Sequence, residues 1–197
     1  MNPFLNDTSQ PYGSIPFNLI KPEHFLPAIK HYVEVTENNI SKIIENDQVN
    51  FENTILALEY ASEGLDEVVT VFRHLFGSEA DDEIRELIKS INPITTKLYN
   101  DIYLNEDLFK KIKVVYANKE DYSGDDIRLL DEVYNSFVRS GANLDSESKE
   151  RYREISEKLS SLSPKFSNNV LNATNEINDY YIDNEDNLAG IPKNLIN

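Results

Sequence analysis

The stretch Phe137-Val138-Arg139-Ser140-Gly141-Ala142-Asn143-Leu144-Asp145 lies between two segments whose apolar residues follow helical spacing. Gly141 is the residue type that ends helices in the left-handed backbone conformation, and Arg139 in the last turn complements the negative end of the helix dipole. Asp145 is suited to cap the first turn of the next helix. The stretch therefore predicts a short joint between two helices.

Helical spacing extends outward from this joint along most of the chain, because apolar residues recur every three or four positions. The pattern predicts helices over about 22–44, 51–76, 79–104, 106–117, 125–140 and 146–178. Pro27, Pro93 and Pro164 fall inside three of these segments, where a missing backbone donor favours a kink, a bend or a restart. Gly77 is expected to end the second helix in the left-handed conformation.

These helices predict an all-α fold in which long antiparallel helices form a bundle-like array. Residues 1–21 combine several prolines with scattered apolar residues, which predicts an extended N-terminal arm. Residues 22–178 form the predicted helical domain. Residues 179–197 are expected to form a short strand at 180–182 and then a loop, as an extended C-terminal exit.

Charge and composition exclude several classes of protein. Nineteen Lys and Arg against 35 Asp and Glu give a net charge of −16, which disfavours nucleic acid and anionic membrane surfaces as partners. The sequence has no Cys, so disulfides, thiolate metal sites and a cysteine nucleophile are excluded. No apolar run reaches the roughly 20 residues of a membrane span.

The three histidines do not form a metal-binding pattern. His24 and His31 are seven residues apart, which on a straight helix separates them by about 10.5 Å, too far to bind one ion. His74 has no second His four residues away, and the sequence contains no His-Glu-x-x-His. We interpret all three as packing or surface residues.

Other candidate groups also have structural explanations. The paired carboxylates at 81–83, 120–121 and 125–126 lie where helix starts and loops favour acids. The aromatic residues could line a groove, although core packing explains most of them. A cluster of serines without a nearby His predicts a small-residue face for another helix; it comprises Ser156, Ser160, Ser161, Ser163 and Ser167. We therefore assign no catalytic, cofactor-binding or metal-binding residue.

Six segments, taken in order, resemble the N-terminal third of the thimet oligopeptidase family of zinc metallopeptidases. They are NPFLND (2–7), IPFNLIKPEHFLPAIKHYV (15–33), NFENTILALE (50–59), INPITTKLYNDIYLNEDLFKKIKVVY (91–116), LLDEVYNSFVRSGANLDSESKERYREISEKLSSLSPKFSNNVLNATN (129–175) and DNLAGIPKNL (186–195). The resemblance covers almost the whole chain in one order. It is closest to the peptidyl-dipeptidases of the family, with endopeptidases of the oligopeptidase A kind as the alternative.

The resemblance implies an almost entirely helical, clam-shaped parent enzyme whose channel admits only short peptides. In the family, zinc is held by a His-Glu-x-x-His helix and a later Glu, and these residues have no counterpart in this sequence. The resemblance therefore implies a channel wall and scaffold that is inactive alone, with zinc in the parent only. The N-terminal arm is expected to pack on parts of the parent outside this sequence.

Further expectations concern partners and location. The expected partners are the catalytic remainder of the same polypeptide and, for the parent, short peptide substrates that lose C-terminal dipeptides. Apolar surface left uncovered is expected to favour dimerisation or dye binding. The expected location is cytoplasmic, or periplasmic or exported if a signal peptide was removed. The alternative is an independent helical module that binds a partner helix in an apolar groove.

Overall fold

The computed structural model describes residues 1–6, 10–78, 82–176 and 184–196. Within these ranges the fold is all-α, as predicted, and contains no strand. The elements are α1 (Pro22–Glu45), a π-helical turn (Phe51–Leu56), α2 (Ala57–Glu59), α3 (Glu63–Ser78), α4 (Asp82–Tyr103), α5 (Glu106–Ala117), α6 (Gly124–Arg139) and α7 (Ser146–Glu176). Among the described residues, short 3-10 turns precede α1, connect α5 to α6 and follow α7. The chain divides into two compact units, Met1–Ser161 and Leu162–Asn197.

Helix α1 is the centre of the first unit and packs against α3, α4 and α5. Phe25, Ala28 and Ile29 in its first two turns are completely buried. The helix continues without a break through Pro27, so the expected restart does not occur. Pro27 removes the backbone donor that would otherwise bond to the Glu23 carbonyl, so the helix continues through it at the cost of one intrahelical hydrogen bond.

The predicted helix over 51–76 is wrong, because the chain turns at Tyr60–Ser62 before α3 begins. The segment starts as expected: Asn50 and Asn53 form a reciprocal cap, each side-chain oxygen accepting a hydrogen bond from the other residue's backbone N–H. At the break, the buried Ala61 presents its carbonyl oxygen to Asn39 Nδ2 of α1 at 3.2 Å. A hydrogen bond from α1 therefore accompanies the break in the continuous helical pattern.

The joint between α6 and α7 has the predicted structure. Gly141 has a φ of 92°, and Ala142 N–H donates to the Phe137 carbonyl at 3.0 Å, the bond that closes a Schellman motif. Asp145 Oδ1 accepts from Ser148 N–H at 2.7 Å and caps α7. Gly77 behaves differently from its prediction: α3 continues through it to Ser78 with an ordinary backbone conformation.

The first residues of the N-terminal segment pack on their own chain rather than remaining available for another part of a larger protein. The Phe4 ring is buried with its centroid 5.2 Å from that of Phe25, and Asn2 Nδ2 donates to the His24 carbonyl at 2.8 Å. Tyr32 Oη donates to the Phe4 carbonyl at 2.8 Å. Farther along the segment, Phe17 remains exposed in a 3-10 turn, so only part of the expected surface is left uncovered.

The part of α7 that belongs to the first unit, up to Ser161, is held against other helices of that unit by polar contacts. The buried Lys149 ammonium lies 3.0 Å from Glu106 Oε1 at the start of α5. Arg153 forms an ion pair with Asp101 of α4. Near the end of the unit, the Asn92 side chain donates to the Ser160 carbonyl at 3.2 Å.

The predicted strand at 180–182 lies outside the described residues, and residues 184–196 contain only short 3-10 turns and loop.

We expect Gly64→Ala to destabilise the first unit. The Tyr32 ring of α1 lies directly against Gly64 of α3, so an added Cβ would overlap that ring. Overpacking of this kind costs about 1 to 3 kcal/mol, more than the roughly 1 kcal/mol that Ala gains over Gly in a helix. Urea unfolding monitored by circular dichroism measures the difference.

Two variants control this experiment. Gly77→Ala adds the same methyl group to the same helix where nothing lies within 4 Å, so its stability should equal or exceed that of the wild type. In a Tyr32→Ala background, Gly64→Ala should no longer be destabilising. An equal loss of stability for Gly64→Ala in both backgrounds would contradict the packing explanation.

Candidate functional site

A cavity of about 550 Å³ opens in the first unit among α1, the segment 57–62, α3, α4 and α6. Its apolar part is formed by buried residues that include Ile40, Ile102 and Phe137. Its polar part is formed by Thr36, Glu59, Ser62, Asp66, Tyr99, Tyr103, Glu132 and Ser136. The cavity is therefore half apolar and half lined with hydroxyls and carboxylates.

The Asp66 carboxylate is held in a fixed orientation within this cavity. Ser62 Oγ donates to Asp66 Oδ2 at 2.6 Å, and Tyr99 Oη donates to Asp66 Oδ1 at 2.9 Å. Ser62 precedes Asp66 by one helical turn, whereas Tyr99 comes from α4. Each carboxylate oxygen retains lone-pair capacity for another donor.

Burial and negative charge raise the pKa of both tyrosines in the cavity. Burial is the main cause of the raised pKa of Tyr99, followed by the Asp66 charge and its hydrogen bond, while the Arg73 guanidinium opposes the shift. Burial likewise raises the pKa of Tyr103, with further contributions from Asp66 and Glu59. Both phenols remain protonated donors at neutral pH.

Each histidine lies apart from the others in the structure. His24 Nδ1 accepts a hydrogen bond from Lys21 N–H at 3.1 Å, and the His31 ring packs edge-on against Tyr32. His74 is exposed near the end of α3. Across the described ranges, no three His, Asp or Glu side chains converge into a group that could hold a metal ion.

The remaining candidates from the sequence occupy structural positions. Residues 125–126 form the first turn of α6, and 120–121 lie in a 3-10 turn; Asp81 lies outside the described residues. Ser156, Ser160 and Ser161 each donate to a carbonyl of their own helix. Helix α4 does approach the serine cluster, through the Asn92 contact with the Ser160 carbonyl.

Apolar side chains of α7 remain uncovered in each unit. In the second unit, Leu162, Phe166 and Val170 recur every four residues and thus share one face, and Phe166 is 70% exposed. In the first unit, Ile155 and Leu159 are also exposed. A globular domain normally covers a stripe of this kind with another element.

No described helix is both long and apolar enough to cross a membrane.

Sequence reasoning missed the cavity because its polar groups come from separate helices. Asp66 and Tyr99 are 33 residues apart, and each fits the periodicity of its own helix. Tyr99 and Tyr103 do share a face of α4, since they are four residues apart, and that spacing is the one signal in the sequence. Phe137 is buried in the core, as expected for most of the aromatic residues. Tyr99 differs, because its hydroxyl donates a hydrogen bond to Asp66 in the cavity.

Comparison with known proteins gives relatives that align along the whole chain. Dipeptidyl carboxypeptidase of Escherichia coli strain K12 is 31% identical over 100% of this chain and 29% of its own length. Oligopeptidase A of Haemophilus influenzae is 30% identical over 99% of this chain and 28% of its own length. The organellar oligopeptidase A of Arabidopsis thaliana is 24% identical over 99% of this chain. The chain thus spans less than a third of the first two relatives, and no protein-family model matches it.

We expect Asp66→Asn to lower the pKa of Tyr99 towards the ordinary value of 10.0, because the substitution removes the charge that opposes phenolate formation. The raised pKa stabilises the fold fully below pH 10.0, and this contribution is lost as the pH rises through the higher pKa of the folded state. Ultraviolet titration of wild type, Asp66→Asn and Tyr99→Phe measures the shift. Glu157→Gln removes a charge outside the cavity and should leave the titration unchanged.

Proposed function

Because this chain belongs to the thimet oligopeptidase family of peptidases by similarity along its whole length, we propose that it is the N-terminal, non-catalytic part of a longer zinc-dependent peptidase. In that parent the chain forms a wall of the substrate channel and a scaffold for the catalytic part. The parent acts as a peptidyl-dipeptidase, releasing C-terminal dipeptides from short peptides. An endopeptidase of the oligopeptidase A kind is the alternative, since relatives with both names match at similar identity.

The observation that carries this proposal is the coverage of the alignments. The whole of this chain aligns with the E. coli dipeptidyl carboxypeptidase, yet it accounts for only 29% of that protein. Similarity that extends through helices, joints and loops favours a shared architecture over a single shared motif. It supports assigning this chain to one region of a larger enzyme.

The described residues do not fit a zinc site, because no three potential ligands converge among them. His24, His31 and His74 are separately engaged or exposed, as described above. We therefore derive no catalytic step from this chain and assign zinc binding to the remainder of the parent. The chain's own contribution is positional.

The exposed face of α7 supports a partner within the parent. Leu162, Phe166 and Val170 form an exposed apolar stripe in the second unit. Once another element covers such a stripe, a charged group placed on it loses its hydration, which destabilises the packing. We propose that the remainder of the polypeptide covers this stripe. In the isolated chain the same stripe stays exposed, so we expect the isolated chain to bind a hydrophobic dye or to dimerise through this stripe.

Peptide cleavage tests the enzymatic proposal. A short peptide carrying a fluorophore and a quencher is incubated with zinc and either this chain or the longer polypeptide. We expect cleavage by the longer polypeptide only, and mass spectrometry of the products should detect C-terminal dipeptides. Internal fragments would favour the endopeptidase alternative, and activity of this chain alone would contradict its non-catalytic role.

Substitution on α7 tests the proposed packing. Phe166→Asp should reduce dye binding by the isolated chain and lower the midpoint of thermal unfolding of the longer polypeptide, because it places a charge on the covered face. Asn172→Asp adds the same charge about 120° away from the centre of the apolar stripe and serves as the control.

Two results would contradict this packing. One is equal thermal stability of the Phe166→Asp and Asn172→Asp forms of the longer polypeptide. The other is a wild-type isolated chain that neither binds the dye nor dimerises. An absence of peptidase activity in the longer polypeptide, together with tight binding of a helical partner by this chain, would favour the independent module instead.

A further inference from the structure

The cavity bounded by α1, α3, α4 and α6 has the size and mixed lining of a ligand site. Its volume of about 550 Å³ falls within the roughly 300 to 1,000 Å³ typical of small-molecule sites. Buried side chains of Ile40, Ile102 and Phe137 supply an apolar surface on one side. An aliphatic or aromatic group can therefore be buried there.

The polar lining of the cavity is negatively charged. Glu59, Asp66 and Glu132 contribute carboxylates, and the described lining residues include no Lys, Arg or His. Glu132 is paired with Arg128, whose Nε lies 3.3 Å from its Oε1. Asp66 has no ion pair with any described cation, although Arg73 lies near enough to influence the Tyr99 hydroxyl. Arg73 does not line the cavity, so no cation among the described lining residues neutralises Asp66.

Asp66 is oriented before any ligand arrives. Ser62 and Tyr99 each donate to a different oxygen of its carboxylate, so the carboxylate does not need to be ordered on binding. Preorganisation of this kind reduces the entropy cost of association. The fixed carboxylate lies in the same cavity as the apolar side chains, which sets both a charged end and an apolar end for a ligand.

We propose that this cavity binds an organic cation in which a protonated amine or guanidinium is attached to an aliphatic stem, as in the side chains of lysine and arginine. The ammonium or guanidinium pairs with Asp66, with Glu59 nearby, and the stem lies against Ile40 and Ile102. The carboxylates of the described residues do not converge as metal ligands do, so their charge matches a larger cation better than a metal ion. The proposal is independent of the enzymatic role proposed for the parent.

Titration of the isotope-labelled chain, followed by backbone amide chemical shifts, tests this binding. The probes are N-acetyl-lysine methylamide, its uncharged isostere N-acetyl-norleucine methylamide, and the free diamine cadaverine. We expect the lysine derivative and cadaverine to shift the amides of Ser62, Asp66 and Tyr99, and the norleucine derivative not to do so. Tighter binding of the lysine derivative would indicate a side chain of a peptide as the ligand, and tighter binding of cadaverine would indicate a free amine.

Matched variants separate specific binding from the general attraction of a chain with a net charge of −16. Asp66→Asn should weaken binding of the lysine derivative about tenfold, the loss of one close charge pair. Glu59→Gln should weaken it about threefold, because Glu59 lies near the bound cation without pairing with it directly, so its charge is more screened by solvent and salt. Glu157→Gln removes the same charge elsewhere and should change affinity by less than about twofold.

Thermal unfolding of each variant establishes that it is folded, and Glu59→Gln serves as the test if Asp66→Asn does not fold. Three results would overturn the proposal: no binding of either cation, binding of the norleucine derivative as tight as that of the lysine derivative, or equal weakening by the cavity variants and Glu157→Gln. Because none of these measurements uses peptidase activity, they are independent of the test of the proposed function.

Discussion

The burial of Phe25 is the constraint on which the first unit depends. Its ring centroid lies 5.2 Å from that of Phe4 and 5.3 Å from that of Phe72, so it joins the N-terminal segment, α1 and α3 at one point. A buried aromatic side chain of this kind contributes about 1.5 to 3 kcal/mol. Two turns farther along α1, Tyr32 lies directly against Gly64 of α3, and this contact limits how closely α1 and α3 can approach.

The parts of the fold that the sequence predicted are those determined locally. Gly141 and Asp145 define the joint between α6 and α7 through bonds to residues a few positions away, and Asn50 begins its segment in the same way. The break at Tyr60–Ser62 was not predictable, because the apolar spacing continues through it. Its visible stabilising contact, from Asn39 to the Ala61 carbonyl, spans 22 residues. The prediction that Gly77 ends its helix was wrong for another reason: a glycine permits a helix to end but does not require it, and α3 continues to Ser78.

The same distinction explains the cavity. Helical periodicity assigns Asp66 an exposed position on α3 and Tyr99 a position on α4, but it does not bring the two helices together. Their meeting depends on the break before α3, because a straight helix over 51–76 would place Asp66 elsewhere along the bundle. The unpredicted turn therefore accounts for the missed helix boundary, and the origin of Asp66 and Tyr99 in separate helices accounts for the missed site. From the sequence, Asp66 and Tyr99 could each be assigned to a face of its own helix, but the contact between them could not be predicted.

The two surfaces of the chain have different physical characters, and this difference separates the two proposals. The cavity combines an oriented carboxylate with buried apolar walls, so it suits a small group that can be half desolvated. The stripe at Leu162, Phe166 and Val170 offers apolar contact without an oriented polar group, so it suits another packed element. If the stripe is covered within a longer polypeptide, the free energy gained by burying it contributes to assembly of that polypeptide and is unavailable for binding a ligand. The cavity lies wholly within the first unit and can retain its lining in either case, so the proposed ligand binding depends on residues of this chain alone.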